Sequence, residues 1–374
     1  MANRIDQAEL DDLKARTPLS KLMADFGVRS KGGTKVRWAN CCFHGEKTPS
    51  LKINDERGQY HCFGCGASGD HIRFLIEHAG QTFHKAVETL GGARLLTTEE
   101  RAAIGERRRK LDEEERATRQ RSRTASERLF GEAKPIAGTH AAAYLKARNL
   151  PVVPRWTFDL RFAPALTYRG YASADADETT ELGTFPAMVA AIRDSGGAII
   201  GLHRTYLDPE RPSKLSPPGD QRRNKAKKVM GDQRGGMIRL SPPARHLALG
   251  EGIETSQAWY ALGMAGDGEV AIAAAISLGN LSGGATGSAP HPKHEGRTVP
   301  NGEPDMDWPG VVLPREVEHV TLIGDGDSDP HMTRARILVA ARRFHRLGFA
   351  VSVSMAPDGA DFSDVLSAES EVTP

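Results

Sequence analysis

The sequence predicts a multidomain α+β protein with an N-terminal cysteine-containing ribbon, a basic α+β subdomain and a C-terminal α/β domain whose sheet is mainly parallel. Three observations lead to this prediction. All four cysteines lie between positions 41 and 65, a highly charged segment follows, and apolar strands alternate with helices beyond position 245. The 374 residues suffice for several cores. We predict four segments, at residues 1–100, 101–135, 136–244 and 245–374.

The composition and the absence of long apolar runs indicate where in the cell the protein acts. The net charge of +2 is close to neutral, and the chain has no run of about 18 apolar residues and begins with a charged segment. We therefore expect a cytoplasmic protein with no membrane partner. A reducing cytoplasm disfavours disulfides, so clustered cysteines in such a protein indicate a metal site.

The first segment contains two pairs of candidate metal ligands. Cys41-x2-His44 and Cys62-x2-Cys65 are separated by 17 residues. A two-residue gap lets both side chains of a pair face one ion, and two such pairs complete a tetrahedral zinc site. Cys42 is the spare thiol, because only one residue separates it from His44. The stretches SLKIN and GQYHC predict two strands joined at DERG, which would bring the pairs together.

The predicted zinc ribbon is rich in cations and aromatic residues. Such a mixture suits single-stranded nucleic acid, since cations bind phosphates and aromatic rings stack on bases. A protein-docking ribbon and a purely structural ribbon remain alternatives. The residues concerned are Arg29, Lys31, Lys35, Arg37, Lys47 and Lys52, with Trp38, Phe43, Tyr60 and Phe63.

Two biased segments lie further along the chain. More than half of residues 101–128 are charged, which predicts either a solvated helix or a disordered linker. The stretch from Gly279 to Pro309 is rich in Gly, Pro, His and Asn, and we expect it to be a long inserted loop.

Acidic residues follow two predicted strands of the last segment. Glu251 comes after HLALG, and Asp325 and Asp327 come after HVTLIG. Ligands of parallel sheets gather at the carboxyl ends of the strands, so these carboxylates should converge. Converging carboxylates need a cation between them, and hard oxygen ligands favour Mg²⁺ or Mn²⁺. Taken singly, each acid could instead be a solvated loop residue.

The middle segment combines a predicted hairpin with a basic loop. AAIRDSGGAIIGLHRTYL predicts two strands around the turn at residues 194–197, the second ending at Arg204. A mobile loop is expected after it, carrying Arg222, Arg223, Lys225, Lys227 and Lys228. This loop is either a solvated surface or a track for phosphates.

Several of these motifs resemble one family. CxFHxEKTPS, YHCFGCGxxGD and the helix HIRFLIEHAGQTFHKAVETLG resemble the zinc-binding domain of the bacterial DnaG-type primases, with Cys42 where that family usually has proline. EGIET followed by DGD resembles the Toprim fold of primases, topoisomerases and some nucleases, and APDGADFSDVL resembles its primase version. AAAYLKARNL resembles the basic half of the primase core, with Asn149 where the family often has glycine.

The resemblance implies a DNA primase that makes short RNA primers on single-stranded DNA from ribonucleoside triphosphates. Glu251, Asp325 and Asp327 would be catalytic and hold Mg²⁺ or Mn²⁺, with Asp361 and Asp364 as supporting acids. Zinc would be structural. The resemblance further implies a replicative helicase as a partner. Departures from the replicative enzyme, among them the inserted stretch from Gly279 to Pro309, suggest a plasmid, phage or integrated-element origin. The implied contacts with nucleic acid or nucleotide are Arg148, Arg204, Lys225 and Lys228.

Two other functions remain open at this point. A Toprim nuclease would cut DNA with the same metal ions. A non-catalytic module would hold single-stranded DNA through the ribbon and the basic loop. Metal-dependent loss of DNA without triphosphates would distinguish the first, and activity that survives loss of the acids would distinguish the second.

Overall fold

The computed structural model describes residues 5–43, 49–62, 67–153, 157–174, 176, 178–266, 268–295, 297–327 and 329–372. The chain divides into two compact units, residues 1–120 and 121–374. His44 and Cys65, both predicted zinc ligands, lie outside the described residues, as do Lys47 and Phe63.

The first unit contains a five-stranded antiparallel sheet with its strands in chain order. The predicted hairpin is confirmed, because Leu51 lies opposite Cys62 in the pairing of its two strands. The strands are β1 (Ser30–Gly32), β2 (Val36–Ala39), β3 (Leu51–Asn54), β4 (Gln59–Cys62) and β5 (Ser68–Asp70). The helices are α1 (Gln7–Ala15), α2 (Leu19–Asp25), α3 (His71–Glu77) and α4 (Phe83–Thr89).

The charged segment forms one helix, α5 (Thr98–Glu132), so of the two structures predicted for it the helix is the one observed. Its buried residues are Ser126 and Phe130. Ion pairs one turn apart, such as Arg119 with Glu115 and Arg123 with Glu127, support a helix that buries so little. Each exposed pair contributes only about 0.3–0.5 kcal/mol, so the stabilisation comes from their number.

The second unit begins with an antiparallel sheet in the order β10-β9-β8-β7-β6. The predicted hairpin is β8 with β9, and its turn is closed by the Gly197 N–H donating to the Asp194 carbonyl at 2.9 Å. The second strand continues two residues beyond Arg204, to Tyr206. The elements are β6 (Lys134–Pro135), α6 (His140–Lys146), β7 (Leu160–Gly170), β8 (Thr180–Arg193), β9 (Ile199–Tyr206) and β10 (Lys227–Gly231).

The expectation of a mobile loop after β9 was wrong in part. Its last residues form β10, which pairs antiparallel with β9. Upstream of β10, the buried Asn224 amide donates to the carbonyls of Tyr171 and Pro218 and accepts from the Tyr171 N–H. These backbone contacts fix the segment, because a buried amide with several partners leaves it little freedom.

The last sheet has the order β11-β13-β12-β16-β17. β12 pairs in parallel with β13 and β16, β16 pairs in parallel with β17, and the short β11 pairs antiparallel with β13. The strands are β11 (Ile238–Arg239), β12 (His246–Gly250), β13 (Val270–Ala274), β16 (His319–Gly324) and β17 (Ala350–Met355). The helices α7 (Ile253–Ala261), α9 (Pro330–Arg346) and α10 (Phe362–Val372) surround it.

Both faces of this sheet are covered, as near-continuous apolar strands require. One face packs with Trp259 of α7 and Phe362 of α10. The other packs with Phe344 of α9. Because β12 and β16 are parallel neighbours in this sheet, their carboxyl ends lie side by side.

The expectation of a long loop from Gly279 to Pro309 was wrong in part, because the segment contains regular structure. It includes most of the short helix α8 (Leu278–Ser282) and a two-stranded antiparallel sheet of β14 (Ser288–Pro290) and β15 (Thr298–Pro300). Glu303 in this segment pairs with Arg342 and Arg346 of α9. Gly, Pro and Asn here serve tight turns within an ordered insertion.

No helix in the described part of the chain combines the length and the apolar character needed to cross a bilayer.

Candidate functional site

Two carboxylates follow neighbouring parallel strands directly. Glu251 comes after Gly250 at the end of β12, and Asp325 comes after Gly324 at the end of β16. Both line a pocket of about 340 Å³, together with Asp327 and Asp361. The predicted convergence of Glu251, Asp325 and Asp327 on one pocket is therefore observed.

The two strand-end carboxylates hold their protons unusually well. Burial raises the pKa of Glu251 to about 7, and the nearby charge of Asp325 acts in the same direction. Burial likewise raises the pKa of Asp325 to about 7, against a hydrogen bond from the Thr255 hydroxyl at 3.0 Å. The buried Asp325 Oδ1 has no hydrogen-bond partner among the described residues. Carboxylates in this condition are stabilised as anions when a cation joins them.

The donor set fits a hard divalent cation. All its side-chain donors are carboxylate oxygens, the ligands that Mg²⁺ and Mn²⁺ prefer, and one buried oxygen of Asp325 is available. Among the described residues, no three His, Cys, Asp or Glu side chains already meet in a metal-binding arrangement.

The same pocket carries a cation cluster, in which Lys214 and Lys227 surround Glu254, and of these only Lys227 was named from the sequence. Glu254 is 5% exposed and binds Lys227 at 2.9 Å and Lys214 at 3.3 Å. The Tyr144 hydroxyl donates to the same carboxylate at 2.7 Å. Although burial opposes ionisation, the two lysines hold the pKa of Glu254 well below its usual value. The sequence contains two signals for it, namely Lys227 in the basic loop and Glu254 three residues after Glu251, and it did not single out Lys214 or Tyr144.

Arg148 and His203 also line the pocket. The predicted contact residue Arg148 follows α6, and its buried Nε has no partner among the described residues. Burial lowers the pKa of His203 to about 4, helped by the nearby Lys227 charge. His203 is therefore a neutral imidazole near neutral pH, which keeps it compatible with the adjacent lysines.

Lys228 and Arg204 do not line this pocket, although the sequence grouped them with it. They lie opposite each other in the β10–β9 pairing, and successive side chains of a strand alternate between faces. Lys227 faces the pocket, so Lys228 points the other way, where its ammonium donates to the Arg169 carbonyl at 2.6 Å and lies over the Tyr168 ring. Burial and the Arg204 charge lower its pKa to about 8.

The remaining predicted residues divide between the pocket and the surface. Lys225 is exposed and precedes β10. Asp361 lines the pocket and also caps α10, because its carboxylate accepts from the Asp364 N–H at 2.7 Å. The exposed Asp364 carboxylate accepts from the Asp361 N–H at 3.0 Å and does not line the pocket, so of the two only Asp361 is placed beside the acids.

The described half of the predicted zinc site has a consistent geometry. Ala39, Leu51 and Cys62 are aligned across three strands, and Cys41 lies two residues beyond Ala39, so both cysteines are at the same end of the sheet. The Phe43 N–H donates to the Cys41 sulfur at 3.4 Å, and the Ser50 hydroxyl is 3.0 Å from the Cys62 sulfur. Hydrogen bonds of this kind favour thiolates.

Two of the aromatic residues expected to stack on bases are core residues. Phe43 and Tyr60 are 8% and 2% exposed, and their rings stack on each other at 5.4 Å with Phe74 beside them. Small domains must use such rings for their thin core, so exposure could not be inferred from the residue type.

One face of the ribbon retains the predicted mixture of aromatic and cationic residues. Trp38 on β2 lies opposite Lys31 on β1 and Lys52 on β3, and it is partly exposed. Cross-strand neighbours of this kind share a face. Lys31, Trp38 and Lys52 therefore form a row across the sheet, which we call the ribbon row.

Two family models match the chain. Residues 5–104 match the CHC2 zinc finger, and residues 120–240 match a domain of unknown function (DUF7146). The first match indicates a structural zinc in the ribbon and agrees with the ligand spacing.

Curated relatives are DNA primases. The DNA primase of Salmonella typhimurium strain LT2 is 31% identical over 254 residues, and that of Escherichia coli K12 is 29% identical over 251 residues. Each alignment covers 62% of this chain and 42% of the relative, so the chain spans less than half the length of these relatives. The DNA primase of Lactococcus lactis is 44% identical over 86 residues, which are 23% of this chain and 13% of the relative.

Among solved structures, the Aquifex aeolicus primase (zinc-binding and RNA polymerase domains) aligns with 98% of this chain and 84% of its own, at 16% identity and a TM-score of 0.35. A TM-score this low does not establish a common fold. The sequence matches confirm the resemblance to the bacterial DnaG-type primases that the motifs predicted.

Proposed function

We propose that this relative of the bacterial DnaG-type primases is itself a DNA primase, which joins ribonucleoside triphosphates into short RNA primers on single-stranded DNA. The observation that carries the proposal is the pocket after β12 and β16, which is lined both by the acids and by the Lys214–Glu254–Lys227 cluster. Nucleotidyl transfer needs both kinds of group in one pocket, because metal ions and phosphates must be held side by side. On this proposal the α/β domain is a Toprim domain.

Glu251, Asp325 and Asp327 would hold Mg²⁺ or Mn²⁺, with Asp361 nearby. A bound divalent ion would lower the pKa of the attacking 3′-hydroxyl and neutralise charge on the pyrophosphate leaving group. The contribution of the chain is to present carboxylates from two adjacent strands. Because burial raises the pKa of both Glu251 and Asp325, an ion bound here would favour their anionic forms and its binding would be weaker at low pH.

Lys214, Lys227 and Arg148 are the pocket cations suited to the triphosphate. Glu254 pairs with Lys227 at 2.9 Å and with Lys214 at 3.3 Å, and so holds the two lysines close together. The predicted contacts Arg204 and Lys228 lie on the other face of their strands, so we assign them to template or primer phosphates along with the exposed Lys225.

Cys41, His44, Cys62 and Cys65 would bind a structural zinc ion that folds the ribbon. The ribbon row would contact template, with Trp38 stacking on a base and Lys31 and Lys52 binding phosphates. A replicative helicase is a further proposed partner.

The test is incorporation of labelled ribonucleotides on random-sequence single-stranded DNA with Mg²⁺. Asp325→Ala should abolish product, and Cys62→Ala should reduce it strongly. Asp358→Asn is the matched control, because Asp358 is an acid in the same domain that pairs with Arg334 at the surface and does not line the pocket.

Short products that Asp325→Ala eliminates and Asp358→Asn retains would support the primase. Degradation of the DNA without triphosphates would replace it with the nuclease. If the protein binds DNA but neither makes primers nor degrades the DNA, and Asp325→Ala binds DNA equally well, the non-catalytic module would replace the primase.

A further inference from the structure

We infer that the insertion from Gly279 to Pro309 is a brace that positions the metal-binding carboxylates, and that His291 is its positioning residue. The inference rests on the proposed function, because it assigns the carboxylates to a divalent ion. It adds a role for a segment outside the pocket and for a histidine that contacts no substrate.

His291 connects the insertion to the loop that carries Asp325 and Asp327. It is 7% exposed, and its Nε2–H donates to the Asp329 carboxylate at 2.9 and 3.2 Å. Its Nδ1 accepts from the backbone N–H groups of Lys293 and His294, both at 3.1 Å. Both ring nitrogens therefore have partners, and these bonds fix the tautomer and the orientation of the ring.

Asp329 lies two residues beyond Asp327 and begins helix α9. Its carboxylate also accepts from the N–H groups of His331 and Met332, as the N-cap of that helix. The loop is held on its other side too, because the Gly326 N–H donates to the Ala360 carbonyl at 3.0 Å. A Cβ at Gly326 would lie 2.1 Å from the Pro357 carbonyl oxygen. The loop is therefore held on two sides, and His291 provides the contact on one of them.

The residues just before the insertion contact Glu251. Ile276 has a φ of 76°, which is rare for a β-branched residue, and its N–H donates to the Glu251 carbonyl at 2.8 Å. The Leu278 N–H donates to the Glu251 carboxylate. Strain of this kind persists only where the surroundings enforce it, so the segment entering the insertion fixes Glu251.

The insertion is itself anchored on α9. Arg336 donates to the Gly283 carbonyl at 3.2 Å, and Glu303 pairs with Arg342 and Arg346. The insertion thus contacts the loop of Asp325 and Asp327 through Asp329, and the residues that lead into it contact Glu251, so its anchoring restrains both places. Groups that orient metal ligands in this way typically change metal affinity by about 10–100-fold when they are removed.

The histidines are not a second metal site. His294 and His331 lie near His291, with ring centroids at 4.7 and 5.4 Å. However, both nitrogens of His291 are occupied by hydrogen bonds, and the described residues contain no group of three ligands in a metal-binding arrangement.

The test is Mn²⁺ binding to the full chain, measured by calorimetry, for wild type, His291→Ala, His291→Gln and His294→Ala. We expect Mn²⁺ to bind about tenfold or more weakly to His291→Ala. His291→Gln should recover most of the affinity, because its amide can both donate and accept. His294→Ala is the matched control, since this exposed side chain neighbours His291 in the same turn.

Unchanged Mn²⁺ affinity in His291→Ala would overturn the inference, as would an equal loss in His294→Ala. If His291→Ala does not fold, Asp329→Asn takes its place, because asparagine keeps the helix cap and removes the charged acceptor. Wild-type Mn²⁺ affinity in that variant would also overturn the inference.

Primer synthesis is a separate readout. There, His291→Ala should raise the Mg²⁺ concentration that the reaction needs and leave kcat at saturating Mg²⁺ unchanged. A further outcome separates the two proposals. If the wild type binds Mn²⁺, Asp325→Ala does not, and the wild type makes no primer, the proposed function would be rejected while the role of the insertion would stand.

Discussion

Asn149 is a residue whose identity is explained by its backbone. Its φ is 57°, in the left-handed region, just after α6. Asparagine tolerates this region better than other residues with a Cβ, and glycine adopts it freely. The departure from the family's usual glycine is therefore compatible with the same turn, which leads Arg148 into the pocket.

We predict that Asn149→Val lowers the free energy of unfolding by about 1–2 kcal/mol, because a β-branched side chain pays the full cost of the left-handed region. Asn149→Gly is the matched control and should stay within about 0.5 kcal/mol of wild type. Urea denaturation of all three proteins measures this. Equal stability of the valine and glycine variants would show that the turn is not held in this conformation.

His203 predicts a pH dependence of stability. Its pKa is lowered to about 4, mainly by burial, whereas an unfolded histidine has a pKa of about 6.5. The unfolded state therefore binds more protons as the pH falls below 6.5, so the free energy of unfolding decreases toward pH 4. At pH 5 the loss from this residue should be about 2 kcal/mol relative to pH 7.

His203→Gln should remove that part of the pH dependence. Urea denaturation at pH 7 and pH 5 gives the difference in unfolding free energy for each protein, and the wild-type difference should be the larger. Equal differences would mean that His203 is protonated in the folded state as readily as in the unfolded one.

At the level of elements, β10 decides which lysines face the pocket. Its register with β9 puts Lys228 opposite Arg204 and Lys227 opposite Thr205. Because successive side chains of a strand point to opposite faces, Lys227 faces the pocket and its neighbour Lys228 faces away from it. The family resemblance implied Lys228 as the contact, and the basic run alone could not distinguish it from Lys227, because the sequence does not give the register.

We predict that Lys227→Met lowers kcat for nucleotide incorporation by about 100-fold, as expected for a lost pocket donor. Lys228→Met should change kcat by only a few fold and weaken binding to single-stranded DNA at low salt. Steady-state kinetics and fluorescence anisotropy measure the two effects.

Lys227→Arg keeps the charge beside Glu254 and separates lost chemistry from lost folding, and melting temperatures check all three variants. A larger catalytic loss in Lys228→Met than in Lys227→Met would contradict the assignment of faces.

At the level of the whole molecule, the proposed zinc ligands all precede residue 66, inside the first of the two units. A small ribbon with a thin core depends on its metal for folding. We predict that zinc chelation removes hydrogen-exchange protection from β2, β3 and β4, while β12 and β16 keep theirs. Re-addition of zinc should restore protection.

Cys62→Ser should reproduce the effect of chelation, and Cys42→Ser is its matched control, because Cys42 is the spare thiol. Equal loss of protection in both variants would show that the ligand assignment at positions 41 and 42 is wrong.

The sequence by itself determined the features that depend on local pattern. The two hairpins, the alternation of strands and helices after position 245, and the placement of Glu251 and Asp325 at strand ends all follow from short-range spacing. The zinc ligand spacing is equally local, and the zinc finger match agrees with it.

Only the tertiary structure decided the features that depend on residues far apart in the chain. KKVMG has no strand pattern of its own and becomes β10 by pairing with β9. Glu254 meets Tyr144 across 110 positions, and His291 meets Asp329 across 38. Phe43 and Tyr60 are buried because the ribbon has few other rings for its core. The physical reason is common to all four: burial and ion pairing are set by what lies opposite a side chain, and sequence spacing does not contain that information.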